Sequence, residues 1–179
     1  MSLRNILKGT GVAVVTPFAK NGAVDYDALG KLLDYIIGNN VEYIVTLGTT
    51  GETPVLTTKE KIDIIQATYA HVNSRVPVIV GIGGNNTHEV VEQLAILPLK
   101  DATAILSASP FYNKPSQEGI FQHYRAIAEK SPKPVILYNV PSRTGRNMEA
   151  ATTLRLATEV HNIAGIQEAR GDKVQCKAI

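Results

Sequence analysis

The stretch Val135-Ile136-Leu137-Tyr138-Asn139-Val140 decides the fold, because it is a short, mostly apolar run that is bounded by turn residues. Such a run is typical of a strand that is buried on both faces of a parallel sheet. Pro134 precedes the run, at a strand start where a missing N–H is tolerated. We therefore predict a buried parallel strand over residues 135–140.

Similar runs recur along the whole chain, and amphipathic helical patterns lie between them. The other predicted strands are Gly11–Phe18, Tyr43–Thr49, Val76–Gly81, Ala104–Pro110 and Ile163–Glu168. Helix starts are indicated by Asp25, by the capping box Thr57-Thr58-Lys59-Glu60, by Asn86 with Glu89, and by Ser116, and a fifth helix is predicted from about Met148 to Glu159. Strands that alternate with helices predict an α/β fold with a parallel sheet.

Two architectures fit this alternation, a closed (β/α) barrel and an open doubly wound sheet. The open sheet would make Gly81-Ile82-Gly83-Gly84 a nucleotide-binding loop. That spacing is not GxGxxG, and no suitable acidic residue follows at the end of a next strand, so the signal is weak. We predict one domain over residues 1–179 with the fold of the (β/α)8 TIM-barrel family, of which this chain supplies about six β/α units.

Composition excludes several classes of function. The net charge of the 179 residues is +2, and the Lys and Arg side chains are scattered, which argues against a nucleic-acid partner. No apolar run is long enough to span a bilayer, and we expect no membrane partner. The single cysteine, Cys176, allows no internal disulfide and fits a cytoplasmic protein. The four histidines lack ligand spacing, so we read them as structural or exposed and expect no metal site.

The predicted strand ends carry the residues that are suited to chemistry, as in barrels generally. Thr49 and Thr50, with the backbone amides of Thr50 and Gly51, offer several donors to one carboxylate. The hydroxyls of Thr49, Tyr112 and Tyr138 could form a proton relay. Taken singly, each has a structural interpretation, since a tyrosine is more often a core or rim residue with a satisfied hydroxyl. Their occurrence in order, each at a strand end, favours the functional interpretation.

Three motifs connect these residues to a family. They are Gly48-Thr49-Thr50-Gly51-Glu52, the run Asn113–Gly119 (NKPSQEG) and the run Tyr138–Gly145 (YNVPSRTG). From Gly11 onward the chain resembles the dihydrodipicolinate synthase family, in the pyruvate-dependent aldolase superfamily that also holds N-acetylneuraminate lyase. The first motif is shared loosely across the superfamily, and the other two are more specific to the synthase branch. Arg143 in the last motif argues against another aldolase of the superfamily, which stays an alternative.

The resemblance implies a reaction that needs no cofactor and no metal. Pyruvate condenses with a lysine at the end of the sixth strand, and the resulting enamine attacks L-aspartate-4-semialdehyde on the pathway to lysine and diaminopimelate. By position, Tyr138 would be the proton shuttle, Thr49 would link it to Tyr112, Thr50 would hold the pyruvate carboxylate, and Arg143 would position the semialdehyde.

The resemblance also implies a homo-oligomer, a dimer of dimers, in which Tyr112 reaches into a neighbouring subunit's site. Asn85 and Glu89 match residues that bind the inhibitor lysine at the dimer interface of many members. Lys61 stands where lysine-sensitive members often have histidine, and a cation there would repel a bound lysine. We predict weak or absent inhibition by lysine.

Gln167, in the run Gly165-Ile166-Gln167-Glu168-Ala169, is the main departure from the family. It stands at the position of the imine-forming lysine, and an amide nitrogen is not a usable nucleophile at neutral pH. Lys173 and Lys177 follow beyond the predicted strand end. Arg170 also departs from the family's small residue, and we expect its long side chain to crowd the site. The sequence as written therefore predicts no imine formation.

The chain length is the second departure, because a complete barrel needs eight strands and about 250 residues. We expect a barrel that stops before strands 7 and 8 and before the family's C-terminal helical region. Two hypotheses remain beside the alternative aldolase. One is an active synthase whose sequence here is incomplete and altered near its end. The other is a catalytically silent, truncated relative that binds pyruvate or a partner subunit.

Overall fold

The computed structural model describes residues 3–179, which form two compact units. The first comprises the described residues through Gly81 together with Leu97–Thr103, and the second comprises Ile82–Ile96 and Ala104–Ile179. Six strands alternate with helices along these residues, as the sequence predicts. No helix among residues 3–179 has the length and apolar character needed to cross a membrane. The single domain over residues 1–179 stays a prediction.

The first unit consists of three parallel strands and the helices between them. Its elements are α1 (Leu3–Ile6), β1 (Gly11–Ala13), α2 (Tyr26–Gly38), β2 (Tyr43–Thr46), α3 (Thr58–Val72) and β3 (Val78–Gly81). β2 pairs in parallel with β1 and with β3, and Ile44 lies in register with both Val12 and Val78. All four residues of β3 are buried, which is the burial expected of a continuous apolar run.

The second unit repeats this arrangement. Its elements are α4 (Thr87–Ile96), β4 (Ala104–Ala108), α5 (Gln117–Lys130), β5 (Val135–Asn139), α6 (Pro141–Thr144), α7 (Ala150–Glu159), β6 (Ile163–Glu168) and α8 (Lys173–Ala178). β5 pairs in parallel with β4 on one side and with β6 on the other. The core of this unit is apolar and includes the fully buried side chains of Ile105, Tyr124, Ile127, Leu137 and Met148.

The predicted helix starts are those of the structure. The Asp25 carboxylate accepts from the Ala28 amide at 2.9 Å, and Ser116 Oγ accepts from the Gly119 amide at 3.1 Å. Thr57 and Glu60 form the reciprocal bonds of a capping box. These caps satisfy amides that the first turn of a helix leaves without a partner.

The first strand was predicted too long, since β1 ends at Ala13 and not at Phe18. Val14 still donates its amide to the Val45 carbonyl at 2.9 Å, but Pro17 has no N–H to continue a ladder. Phe18 instead forms an isolated antiparallel bridge with Val24. The short helices α1 and α6 were not predicted, whereas α8 follows β6 at the place of a sixth β/α unit.

The end of β3 requires a glycine. A Cβ on Gly81 would lie 2.1 Å from the Leu47 carbonyl oxygen and 2.9 Å from the Gly48 amide nitrogen. Both atoms belong to backbone, and Leu47 itself is held at a φ of 54°. A side chain at position 81 would therefore displace the turn that follows β2.

We expect Gly81→Ala to lower the free energy of unfolding by about 3 kcal/mol, because the new methyl overlaps backbone atoms that cannot move alone. Urea unfolding measures this difference. Gly165→Ala in β6 is the matched control, because a Cβ there meets nothing within 4 Å, and it should change stability by less than about 0.5 kcal/mol. Equal effects of the two substitutions would contradict this account of the β3 end.

His123 is the buried histidine of the second unit. Its Nδ1 lies 2.8 Å from Thr87 Oγ1, its ring packs edge-on against Tyr124, and its Nε2 is buried without a hydrogen-bond partner. Burial lowers the pKa of His123 from 6.5 to about 4, because a charged imidazolium would lose its hydration there. These contacts agree with the expectation that the histidines are structural or exposed.

The lowered pKa of His123 has a consequence for stability against pH. The unfolded chain takes up a proton at this site below about pH 6.5 and the folded chain does so only near pH 4, so acid favours unfolding. We expect His123 to remove about 3 kcal/mol of stability between pH 7 and pH 4. Urea unfolding across this range should show a shallower pH dependence for His123→Phe and an unchanged one for the exposed-site control His161→Gln.

Candidate functional site

The predicted carboxylate-binding residues of the first unit lie in a tight turn directly after β2. Thr49–Gly51 form one turn of 3₁₀-helix, in which Thr49 and Thr50 are exposed and Gly51 is buried. Glu52 ends the turn at a left-handed φ of 54°. A non-glycine residue with this φ is uncommon and often marks a functional segment.

Neighbouring threonines hold this turn in place. Thr16 Oγ1 donates to the Gly51 carbonyl at 2.7 Å, and Thr53 Oγ1 donates to the Leu47 carbonyl at 2.7 Å. Any Cβ at Gly51 would come within 3.3 Å of the Val14 carbonyl oxygen. The turn is thus anchored from inside the unit while it presents two hydroxyl-bearing side chains to solvent.

In the second unit, Tyr138 and Gln167 are neighbours across paired strands. Both stand near the carboxyl ends of their strands, and the parallel register of β5 and β6 sets Tyr138 opposite Gln167. Adjacent strands are about 4.8 Å apart, and residues in register point to the same face of a sheet. The structure therefore brings together the predicted proton shuttle and the residue at the lysine position, with the phenol half-buried and the amide exposed.

The next register pair, Asn139 opposite Glu168, points to the other face. Glu168 Oε2 accepts from Asn139 Nδ2 at 2.8 Å and from Gln175 Nε2 at 2.8 Å, and Oε1 accepts from the Arg170 amide at 2.7 Å. One carboxylate thus accepts three hydrogen bonds from residues of β5, α8 and the segment between β6 and α8. Bonds to an ionised acceptor are stronger than bonds between neutral groups.

Asn147 closes this network, which we call the Glu168 cluster (Asn139, Asn147, Glu168, Gln175). Asn139 Nδ2 donates to Asn147 Oδ1 at 2.9 Å, and Asn147 Nδ2 donates to Gln175 Oε1 at 2.8 Å. Gln175, which lies in α8, is buried. The cluster fastens α8 and the loop before α7 to the strand ends that carry Tyr138 and Gln167.

Arg170 behaves differently from the prediction that it crowds the site. Its guanidinium donates to Gln175 Oε1 at 2.9 Å and pairs with Asp172 at 3.3 Å. It therefore lies with the Glu168 cluster, on the face opposite Gln167. This position was not predicted, because the contacts of Arg170 with Asp172 and Gln175 form only when the segment after β6 folds back onto the strand.

Tyr112 and Arg143 lie in the loops that follow β4 and β5. Tyr112 is 87% exposed and has a φ of 68°. Asn113 Nδ2 donates to the Asn85 carbonyl at 3.3 Å, which ties this loop to the segment before α4. Arg143 is exposed within α6. Among residues 3–179, no hydrogen bond joins Tyr112 to Tyr138, and the Tyr112 side chain faces solvent.

The two residues predicted to bind lysine lie at the start of α4. Asn85 is half-buried, and its carbonyl accepts the bond from Asn113. Glu89 is exposed, and its Oε1 accepts from Asn86 Nδ2 at 3.0 Å. Among residues 3–179, no group of three His, Cys, Asp or Glu side chains could hold a metal ion.

The Glu168 cluster was not predicted from the sequence, although the alternation of residues in two strands indicated part of it. Asn139 and Glu168 are polar residues that alternate with the site residues in otherwise apolar strands, and this pattern places them on one face. Asn147 and Gln175 carry no such signal, because they lie in a loop and in a short helix.

Comparisons with known proteins agree with this geometry. Residues 6–179 match the Dihydrodipicolinate synthetase family. A 4-hydroxy-tetrahydrodipicolinate synthase from Parabacteroides distasonis is 53% identical over 169 residues, which are 94% of this chain and 57% of that protein. The chain thus spans little more than half the length of this curated relative.

Solved structures show the same similarity. A dihydrodipicolinate synthase from Acinetobacter baumannii, described as complexed with pyruvate, superposes with a TM-score of 0.91 at 45% identity over 95% of this chain and 58% of that one. A synthase described as the first monomeric variant gives a TM-score of 0.92 at 38% identity over 97% and 58%. The fold is that of the (β/α)8 TIM-barrel family, and the predicted fold class is confirmed.

The Glu168 cluster generates a prediction about stability. In Glu168→Gln, an amide NH₂ replaces one of the oxygens that now face donors, and we expect the free energy of unfolding to fall by about 2 kcal/mol. Glu159→Gln is the control, since Glu159 forms an exposed i,i+4 pair with Arg155 and should contribute about 0.5 kcal/mol or less.

Amide hydrogen exchange shows which elements are destabilised by Glu168→Gln. The amides of α8 should lose protection first, because Gln175 and Arg170 fasten that helix to the cluster. A loss of protection spread evenly over β4 and β5, with α8 unchanged, would contradict this account.

Proposed function

Because this chain belongs to the dihydrodipicolinate synthetase family, we propose that its site serves the condensation of pyruvate with L-aspartate-4-semialdehyde. The product would be 4-hydroxy-tetrahydrodipicolinate, in the cytoplasmic route to lysine and diaminopimelate. The observation that carries the proposal is the register pair of Tyr138 and Gln167 at the ends of two parallel strands. It sets a phenol beside the position from which the family's lysine attacks pyruvate.

In the proposed reaction, position 167 and Tyr138 have different roles. An amine at position 167 adds to the keto carbon of pyruvate, water leaves, and loss of a proton from the methyl carbon gives an enamine that attacks the aldehyde carbon. Two of these steps move a proton to or from oxygen. We propose that the Tyr138 phenol, which lies on the neighbouring strand, transfers this proton.

The turn Thr49–Gly51 supplies the carboxylate contacts in this proposal. The hydroxyls of Thr49 and Thr50 are exposed donors on a backbone that Thr16 and Thr53 hold fixed. A fixed donor set loses little freedom when an anion binds. We assign the pyruvate carboxylate to Thr50 and the amide of Gly51, and we assign Thr49 to the proton relay.

Arg143 and Tyr112 complete the assignment. We assign the carboxylate of the semialdehyde to Arg143, whose planar guanidinium can bind it with two parallel bonds. For Tyr112, exposure of 87% supports a contact with a second subunit in a dimer of dimers. For Asn85 and Glu89, we propose that lysine binds weakly or not at all, since Lys61 occupies a position where lysine-sensitive members often have histidine.

Gln167 favours a second candidate function for the sequence as it stands. An amide cannot form an imine, so a chain with Gln167 would bind pyruvate reversibly or serve a partner subunit. The amide can still donate a hydrogen bond to the keto oxygen, because it faces the same side as Tyr138. We propose that the residue at position 167 decides whether the imine can form.

Trapping with borohydride tests position 167. We expect no reduced pyruvate adduct on the protein with Gln167, and we expect one on Gln167→Lys, because an amine then stands beside Tyr138. Intact-mass spectrometry reads the adduct, and peptide mapping must place it on residue 167.

Two further substitutions in the Gln167→Lys protein test whether adduct formation is specific. Lys173→Gln removes an exposed amine of α8 in the Gln167→Lys background and should leave the adduct unchanged. Tyr138→Phe in the same background should slow adduct formation by roughly 10²-fold or more, the usual contribution of general acid–base catalysis. An adduct that persists on the Gln167 protein would overturn the assignment of position 167.

A further inference from the structure

A cleft of about 380 Å³ lies in the first unit, at the end of β3 where the strand begins. Its walls come from the end of α3, the start of β3 and the segment before β4. Gly81 and the turn that it contacts lie at the other end of the same strand. A cleft of this volume is large enough for a small molecule. We call it the β3 cleft.

The Tyr69 hydroxyl is a polar group of the β3 cleft that the fold leaves without a partner. Tyr69 lines the cleft from the last turn of α3, and its Oη is buried without a hydrogen bond. Burial, and then the negative charge of Asp101, raise the pKa of the Tyr69 phenol. A buried hydroxyl that stays unsatisfied costs free energy. A ligand that bonds to Tyr69 Oη would offset this cost.

Asp101 makes the β3 cleft favourable for a cation. It lines the cleft, and none of the ion pairs among residues 3–179 includes it. Arg75 also lines the cleft, but it pairs with Asp34, and its Nε donates to the Val72 carbonyl at 3.1 Å. The charge of Arg75 is therefore compensated, whereas that of Asp101 is not. The carboxyl end of α3 adds partial negative charge to the same wall.

Aliphatic side chains form the remainder of the wall. Val72 and Val78 are buried, and Val76 and Pro77 are half-buried. Methylene groups that lie against such a wall leave water, which is favourable. The β3 cleft thus combines an apolar wall with one carboxylate and one unpartnered hydroxyl, and a few placed polar groups on an apolar lining are typical of small-molecule sites.

We propose that the β3 cleft binds a small primary ammonium compound with a short aliphatic chain. Asp101 and Tyr69 line the same cleft, and an ammonium group has three N–H donors, so one group can donate to both side chains. The bond to the Asp101 carboxylate joins two charged groups and is the stronger of the two. Thr103, in the same lining, offers a hydroxyl oxygen for the third donor.

The proposed ligand site is separate from the candidate active site. The β3 cleft belongs to the first unit, whereas Tyr138 and Gln167 belong to the second. Binding of an ammonium compound there requires no imine chemistry and does not rest on the proposed function.

Titration with n-butylammonium, followed by proton–nitrogen NMR spectra of the backbone amides, tests this site. We expect a saturable change that is centred on the amides of Asn73, Ser74 and Thr103. Butan-1-ol has nearly the same chain and no charge, and it should bind at least tenfold more weakly. Asp101→Asn should also weaken the binding of n-butylammonium at least tenfold.

Tyr69→Phe separates binding from folding. It should weaken the binding of n-butylammonium roughly fivefold, the contribution of one hydrogen bond. It should not lower the midpoint of urea unfolding, because the Tyr69 hydroxyl has no hydrogen bond to lose. An unchanged affinity in Tyr69→Phe would contradict the role of the hydroxyl in the proposal.

Asp27→Asn is the matched control, because it removes an exposed carboxylate from the first turn of α2, outside the β3 cleft. If Asp27→Asn weakens binding as much as Asp101→Asn does, the attraction is general charge and the proposal fails. It also fails if butan-1-ol or butyrate binds as tightly as n-butylammonium. Absence of a saturable change, or a change centred on the second unit, would overturn it as well.

Discussion

The parallel register between β5 and β6 is the constraint on which the candidate site depends. Side chains alternate between the two faces of a strand, so this register sets the pairs on both faces. Tyr138 and Gln167 point to one face, and Asn139 and Glu168 point to the other. A shift by one residue would exchange the faces and separate the phenol from position 167. The chemistry on one face is therefore tied to the hydrogen bonding on the other.

The Glu168 carboxylate makes this register specific. It binds donors from β5, from the segment after β6, and from α8, so any other register would leave a charged group and several amides unsatisfied. Asn147 extends the same network to the loop that bears Arg146. The strand ends, α8 and the loop before α7 are thus linked through a few polar side chains, of which Asn139 and Gln175 are buried.

Much of the fold could be predicted from the sequence because its signals are local. The capping box at Thr57 and the apolar run at Val135 each report on a few neighbouring residues, and the structure confirms both. The predicted length of β1 was wrong, since the strand ends at Ala13 within an apolar run that continues to Val15. The Glu168 cluster and the position of Arg170 were not predicted, because they depend on contacts between α8 and residues that are distant in the sequence. For the site, the resemblance to the family singled out Tyr138 and position 167, whereas their pairing across two strands needed the register.

The central claim is that a binding site of the pyruvate aldolase type is present and that Gln167 prevents its covalent step. Carbon-13 NMR of pyruvate labelled at the keto carbon, bound to the unmodified protein, tests it most directly. The account predicts a bound signal that keeps the chemical shift of a ketone and exchanges with free pyruvate. A new imine resonance on the Gln167 protein would contradict the account, because another amine would then perform the reaction that we assign to position 167.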